Sequence, residues 1–364
     1  MAVKESTFNE LLRAAIEYGA SDIHIREGEP PCFRINGDLI PIKSPPVQHD
    51  DLSSISSFLL DGVDQLKNLS LIRELDGGKT FEGICRVRFN FFRFQEKLGV
   101  ILRLIKNNVP SIDELKISKT IKSIAENKRG LVLITGATGS GKSTTMAAMI
   151  EHINSLSSGH IITIEDPVEY LFTQNQSRIT QREVGVDTGD FNSALRSALR
   201  QDPDVIAIGE MRDQETVDIC LKAAETGHMV ISTIHTNNAE NTIGRIIAMF
   251  PPEAQKDARI RLSENLFATI SQRMLKTKEG TGRVVAQEIM INTPGVRECI
   301  SGKEDMKNLY TYIREGFNPG AQYSSQTFDQ HLKLLLKNKV ITKQEAIKAA
   351  SSGGDFARSL DIEK

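Results

Sequence analysis

Residues 136 to 143 read Gly-Ala-Thr-Gly-Ser-Gly-Lys-Ser, between an apolar run, Leu131-Val132-Leu133-Ile134, and a stretch of helical character. Glycines at 136, 139 and 141 let consecutive backbone N–H groups turn inward with no Cβ in the way. The helix that follows adds the positive end of its dipole. Such a loop fits a phosphate, and its Gly-Lys-Ser ending specifies a nucleoside triphosphate. Lys142 reaches the β and γ phosphates, and the Ser143 hydroxyl is placed for Mg2+. Thr138, Ser140 and Thr144 complete the phosphate-lining stretch. The pattern arises by chance about once per hundred chains of this length. The plain alternative is a glycine-rich turn with no ligand. A strand must feed this loop and a helix must leave it, which opens a parallel α/β sheet.

At 364 residues the chain has room for two domains. Its composition, 39% hydrophobic and 25% charged, is globular, so burying cores is no obstacle. A formal net charge of -2 lacks the basic excess that a phosphate backbone demands, and nucleic acid is not an expected partner. Cys32, Cys85, Cys220 and Cys299 stand singly, which argues against a zinc site or a disulfide framework and suits a reducing cytosol. No apolar run approaches the roughly eighteen residues needed to cross a bilayer. The expectation is a cytoplasmic protein without direct membrane insertion, reaching a membrane only through a partner.

Along the chain, Phe8, Leu11, Leu12, Ala15 and Ile16 recur at helical spacing, with Gly19 where a C-terminal cap belongs. Ser21 to Ile25 alternates as a strand, and Cys32 to Ile35, Asn36-Gly37 and Leu39 to Ile42 spell a hairpin. Further strands are expected at 83–94 and 99–105. These make a small α+β domain over residues 1–106, followed by a linker over 107–116 rich in amides, proline and serine. Beyond Gly130, strands at Leu131 to Thr135, Ile161 to Ile164, Val205 to Ile208 and Met229 to Ile234 alternate with helices, so an α/β domain over 117–291 is expected. Residues 292–364 read as helical, with Phe328, Leu332, Leu335 and Leu336 on one apolar face and a polar tail from Ser351.

ATP hydrolysis needs a metal at the β and γ phosphates, a group that orients or deprotonates water, and cations that stabilise the transferring phosphoryl. Each expected strand of the second domain ends in polar residues. Ligands of open α/β sheets lie beyond the carboxyl ends of the strands, so Glu165-Asp166, Glu210 and His235 converge on the edge that carries the loop. Val205-Ile206-Ala207-Ile208-Gly209-Glu210 is an apolar strand ending in an acid, which places Glu210 near Mg2+; a solvated strand-end acid is the alternative. Glu165 is assigned the general-base role, against an exposed acidic turn shaped by Pro167. His228 and His235 bracket one strand, and His235 could hydrogen-bond the γ phosphate or be satisfied by backbone. Arginine is short on this edge. Arg86, Arg88 and Arg103 lie on strands of the first domain, either as fingers reaching a neighbouring subunit's nucleotide or as a solvated basic face.

Taken together, the chain resembles the type IV pilus retraction ATPases, the PilT/PilU branch of the secretion-motor ATPases, over essentially its whole length. Ile164-Glu165-Asp166-Pro167-Val168-Glu169 is similar to that family's aspartate box. Ser197-Ala198-Leu199-Arg200-Gln201-Asp202-Pro203-Asp204 with Gly209-Glu210-Met211-Arg212-Asp213 is similar to its atypical Walker B. Ala224-Glu225-Thr226-Gly227-His228 through His235-Thr236 is similar to its histidine box. Gly19-Ala20-Ser21-Asp22-Ile23-His24 and Cys85-Arg86-Val87-Arg88-Phe89-Asn90 resemble the family's N-terminal domain. The resemblance implies a PAS-like N-terminal domain, a RecA-like ATPase domain, and a homohexamer with ATP between the domains. It further implies that Arg88 and Arg103 complete the site, and that domain rotation does work on an inner-membrane platform protein.

No paired C-x-x-C insertion and no longer N-terminal region, both carried by extension and type II secretion ATPases, are present, which favours retraction. The retraction branch's Ala-Ile-Arg-Asn-Leu-Ile-Arg-Glu segment survives only in part, as Gly295-Val296-Arg297-Glu298-Cys299-Ile300-Ser301-Gly302. Arg182-Glu183-Val184-Gly185-Val186-Asp187 and Thr236-Asn237-Asn238-Ala239 lean toward the accessory PilU type. Gly209 to Asp213 leans toward PilT. An accessory ATPase acting with a paralogous companion motor is therefore one alternative. A RecA-like nucleic-acid translocase is another, disfavoured by the near-neutral charge and the absence of tryptophan.

Overall fold

The computed structural model describes residues 3–35, 37–60, 73–105, 108–280 and 282–362. Asn36 of the expected hairpin turn, and Lys106 and Asn107 at the expected boundary, lie outside the described residues. The chain divides into two compact units, Met1–Asn108 with Glu169–Leu171, and Val109–Val168 with Phe172–Lys364.

The N-terminal unit opens with α1 (Glu5–Glu17), which buries Phe8, Leu12 and Ala15. Ile16, expected on that face, is exposed, because the buried stripe of a single-sided helix is narrower than its apolar pattern. The helix stops where Gly19 takes φ +68. There Gly19 N–H donates to Ile16 O and Ala20 N–H reaches back to Ala15 O, a Schellman closure. Six strands follow, with α2 (His49–Leu59) between the third and fourth: β1 (Asp22–Arg26), β2 (Cys32–Ile35), β3 (Asp38–Pro41), β4 (Glu74–Phe81), β5 (Cys85–Phe94) and β6 (Lys97–Ile105). They form an antiparallel sheet of order β3-β2-β1-β6-β5-β4. One face packs on both helices through Ile23, Ile25, Val87, Phe89, Phe91, Val100 and Leu102. The alternate residues face away, and register lines up Arg34, Asp22, Arg103 and Arg88 in a row across β2, β1, β6 and β5.

The second unit begins in the expected linker: Ile112 is already part of its core. Its elements are α3 (Thr120–Ala125), β7 (Gly130–Gly136), α4 (Lys142–Leu156), β8 (His160–Glu165), β9 (Arg178–Glu183), α5 (Phe191–Ala198), β10 (Val205–Ile208), α6 (Gln214–Glu225), β11 (Met229–Ile234), α7 (Ala239–Ala248), α8 (Gln255–Asn265), β12 (Leu266–Lys276) and β13 (Arg283–Ile291). The sheet runs β13-β12-β7-β11-β10-β8-β9, parallel throughout except for β13 on the edge. Helices α5 to α8 cover one face and α3 and α4 the other. The four expected strands are present; β9, β12 and β13 are additional. Buried Thr269, Ser271, Gln272, Gln287 and Glu288 interrupt their apolar runs, and α8 passes into β12 with no turn residue to mark the change.

Beyond the sheet, α9 (Pro294–Ser301) and α10 (Leu309–Glu315) join the main core. A separate cluster forms where α11 (Phe328–Lys337), α12 (Lys343–Ala349) and α13 (Gly353–Ile362) pack on Leu275, Val284 and Ala286 of β12 and β13. From Ser351, where a polar tail is expected, two serines lead into α13, whose Phe356 is buried in that cluster, a residue too isolated in sequence to show a periodic face.

Glu288 of β13 is buried, and its Oε1 accepts the Ala239 N–H at the start of α7, 2.9 Å away. Burial pushes this carboxyl up to about 7; the Ala239 N–H and Arg273 oppose the shift, while Asp329 and Glu240 add to it. An acid with a raised value keeps a proton in the folded state that the unfolded chain gives up, so its contribution is complete below pH 4.5 and is lost as pH rises to about 7. At about 1.4 kcal/mol per unit, the parent is expected to lose on the order of 2–3 kcal/mol across that window relative to Glu288→Gln. Chemical denaturation of both proteins at pH 4.5 and pH 8 measures it, and parallel pH dependences would contradict it.

Candidate active site

The loop between β7 and α4 obeys the steric demands read from its glycines. Gly136 has φ +144, and a Cβ there would lie 2.4 Å from Ser140 Oγ and 2.6 Å from Gln272 O. Gly139 and Gly141 are left-handed at φ +79 and +91, and Gly141 is the N-cap of α4. Lys142 is buried, and its ammonium donates to the carbonyl oxygens of Gly136 and Ala137 at 3.0 and 3.1 Å, across the mouth of the loop. The Ser140 hydroxyl is buried with no hydrogen-bond partner among the described residues. Thr138 belongs to the turn, and Ser143 and Thr144 to the first turn of α4. A cation held by backbone carbonyls, an orphaned hydroxyl and the end of a fifteen-residue helix fit a phosphate chain.

The parallel strands end on the same edge. Glu165 is the last residue of β8, buried, with Oε1 accepting from Thr163 Oγ1 at 2.6 Å and from Gln181 Nε2 at 3.2 Å. Glu210 follows β10 by two residues. One of its carboxylate oxygens accepts from Arg212 Nε and the other lies 3.3 Å from His235 Nε2, just past β11. Arg212 also approaches Asp166, at 4.0 Å. His235 is therefore tied to a carboxylate, whereas His228, at the opposite end of β11, has Nδ1 3.0 Å from Ala223 O and Thr226 Oγ1. The edge is less short of arginine than its sequence suggests, since Arg212 sits on it.

Arg88 and Arg103 lie in the N-terminal unit, directly opposite one another on β5 and β6. Like charges in that relation repel. Arg103 is 65% exposed and donates Nε to the nearly buried Asp22 at 3.0 Å, which offsets the repulsion. Sequence reasoning missed Thr163, Gln181, Arg212 and Gln272. Thr163 carried a faint signal, two residues before Glu165 on a strand. Gln272 carried none: its Nε2 donates to Thr145 Oγ1 at 2.7 Å, tying β12 to the loop's helix.

A phosphate loop on the carboxyl edge of a parallel sheet, flanked by two strand-end carboxylates and a histidine, defines a P-loop ATPase. The model of the family described as Type II/IV secretion system protein matches residues 1–331, and the chain belongs to that family. It is 41% identical over 347 residues, 95% of its length and 99% of the relative's, to the type IV pilus retractation ATPase PilT of Pseudomonas aeruginosa. It is 38% identical to the type IV pilus ATPase PilU of the same organism, covering 98% of this chain and 91% of that one. A crystal structure of the pilus retraction motor PilT with bound ADP superposes with a TM-score of 0.86 at 40% identity, over 96% of this chain and 98% of the other. The α/β fold and nucleotide use read from the loop agree with these relatives.

The crowding at Gly136 yields a prediction. Gly136→Ala is expected to weaken ATP binding roughly tenfold or more, through backbone strain and collision with Ser140 and the Gln272 carbonyl. Titration with a fluorescent ATP analogue measures the loss, and parental affinity would contradict it.

Proposed function

We propose that this chain is an ATP-driven motor of the PilT kind that powers type IV pilus retraction and twitching motility. The observation that carries the reading is the similarity to PilT relatives in sequence and fold over nearly the whole chain, joined to strand-end carboxylates on the edge that holds the phosphate loop. In this reading Lys142 leaves the Gly136 and Ala137 carbonyls for the phosphates of ATP, and Gly139, Ser140, Gly141, Ser143 and Thr144 supply backbone N–H groups around them. Ser143 and Glu210 are hard oxygen donors of the kind Mg2+ prefers. When bound, Mg2+ neutralises charge between the β and γ phosphates. Glu165 accepts the proton of the attacking water. His235, oriented by Glu210, donates toward the γ phosphate. Arg88 and Arg103 serve a neighbouring protomer's nucleotide, an effect worth about 10³- to 10⁵-fold in rate elsewhere.

That last role needs a neighbouring protomer, and the reading includes a homohexamer, which the family resemblance implies. It includes an inner-membrane platform protein as the load and a position at the cytoplasmic face of the pilus machine. Among the described residues no helix is long and apolar enough to cross a membrane. An accessory role beside a paralogous motor is the second reading, favoured by the 38% identity to PilU.

Glu165→Gln is expected to keep ATP affinity while losing turnover by about 10²-fold or more, whereas Lys142→Ala lowers both. Binding and phosphate-release assays on the purified variants decide it, and parental turnover in Glu165→Gln would remove the base assignment. In cells, deletion should leave excess surface pili without twitching, and Glu210→Ala should fail to restore motility. Bald cells would indicate extension instead.

A further inference from the structure

Glu165 is held by two side chains from positions that none of the sequence motifs singles out for chemistry. Thr163 precedes it by two residues on β8, so the strand's period of two puts both on one face. The Thr163 hydroxyl, wholly buried, donates to Glu165 Oε1 at 2.6 Å. A hydroxyl taken out of water requires a partner, and this carboxylate supplies it. Gln181, the cross-strand neighbour of Thr163 on β9, donates Nε2 to the same oxygen at 3.2 Å. The orientation of that amide is fixed from its other end. Its Oε1 accepts the Phe172 backbone N–H at 3.1 Å, so the NH2 group must face Glu165.

Two donors on one oxygen restrict rotation about the terminal carboxylate bond, a torsion that is otherwise broad. We propose that Thr163 and Gln181 are positioning residues for ATP hydrolysis that hold the Glu165 carboxylate in the orientation in which it acts on water. The proposal rests on Glu165 being the base. Their effect is on geometry at the reacting centre, where small misplacements cost orders of magnitude in rate, and not on the grip on ATP, which the loop and α4 provide. The two donors come from adjacent strands, so the parallel pairing of β8 with β9 is what assembles the base. A chain lacking β9 would keep Glu165 and lose one of the groups that aims it.

Steady-state ATPase assays on the full-length protein, with thermal unfolding and ATP-analogue binding as controls, test this with Thr163→Val, Thr163→Ser, Gln181→Glu and Glu165→Gln. Thr163→Val keeps the shape and removes the donor. Gln181→Glu keeps an acceptor for the Phe172 N–H and removes the donation to Glu165. Both are expected to lower kcat roughly tenfold or more with KM for ATP within about twofold. Thr163→Ser, which retains the hydroxyl, should return kcat to within about threefold of the parent. Parental kcat in both Thr163→Val and Gln181→Glu, beside an inactive Glu165→Gln, overturns the positioning role and leaves the base in place. Full turnover in Glu165→Gln overturns the base and the proposal together. A loss that serine does not restore, or one matched by a rise in KM, assigns these residues to folding or binding and also overturns the proposal.

Discussion

The bridge from the Lys142 ammonium to the carbonyl oxygens of Gly136 and Ala137 is the contact on which the rest of the ATPase unit depends. A buried cation must be paired. Here two of its partners are backbone carbonyls of the loop itself, so the lysine holds the cradle in shape. The closure requires the chain to reverse at Gly136 in a space that no side chain could share with Ser140 and Gln272. Because Gly136 pairs with Gln272 on β12 and its strand pairs with β11, that reversal is anchored on both sides by the sheet.

The same parallel sheet converts distance in sequence into proximity. Register aligns Ile164 with Ile208 and Ile208 with Ser232, so the residues that follow each strand emerge side by side. Glu210, Arg212 and His235 meet there in one network, with Asp166 at its margin. A carboxylate shared between a guanidinium and an imidazole is poised differently from an isolated strand-end acid. Its charge is met by the Arg212 guanidinium, and the imidazole of His235 is held beside it.

In the N-terminal unit the comparable device is a row of charges on the sheet face opposite the core. Arg88 and Arg103 sit directly across from one another, an arrangement that costs free energy unless a counter-charge is supplied. Asp22 supplies it on the next strand. Two arginines kept side by side by that counter-charge, with one still mostly exposed, suit the recognition of an anionic group by the pair. This is the physical content of the finger role proposed for them.

The phosphate loop, the alternation of strands and helices, and the strand-end acids were legible from residues 130 to 235 alone, because local sterics and periodicity dictate them. Glycines at fixed spacing allow one backbone path, and apolar runs of four to six residues between polar ends fit one kind of strand. By contrast β9, β12 and β13 carry buried polar side chains whose partners lie far along the chain, such as Gln272 on Thr145 and Glu288 on the Ala239 N–H. No local pattern reveals that such residues are satisfied. The pairing of Arg212 with Glu210, the two donors on Glu165 and the burial of Phe356 of α13 likewise appear only once strands and helices are assembled. The sequence by itself determined the ligand class and the family; the tertiary structure decided which groups hold the strand-end carboxylates, since hydrogen bonds between distant segments depend on register and packing rather than on spacing along the chain.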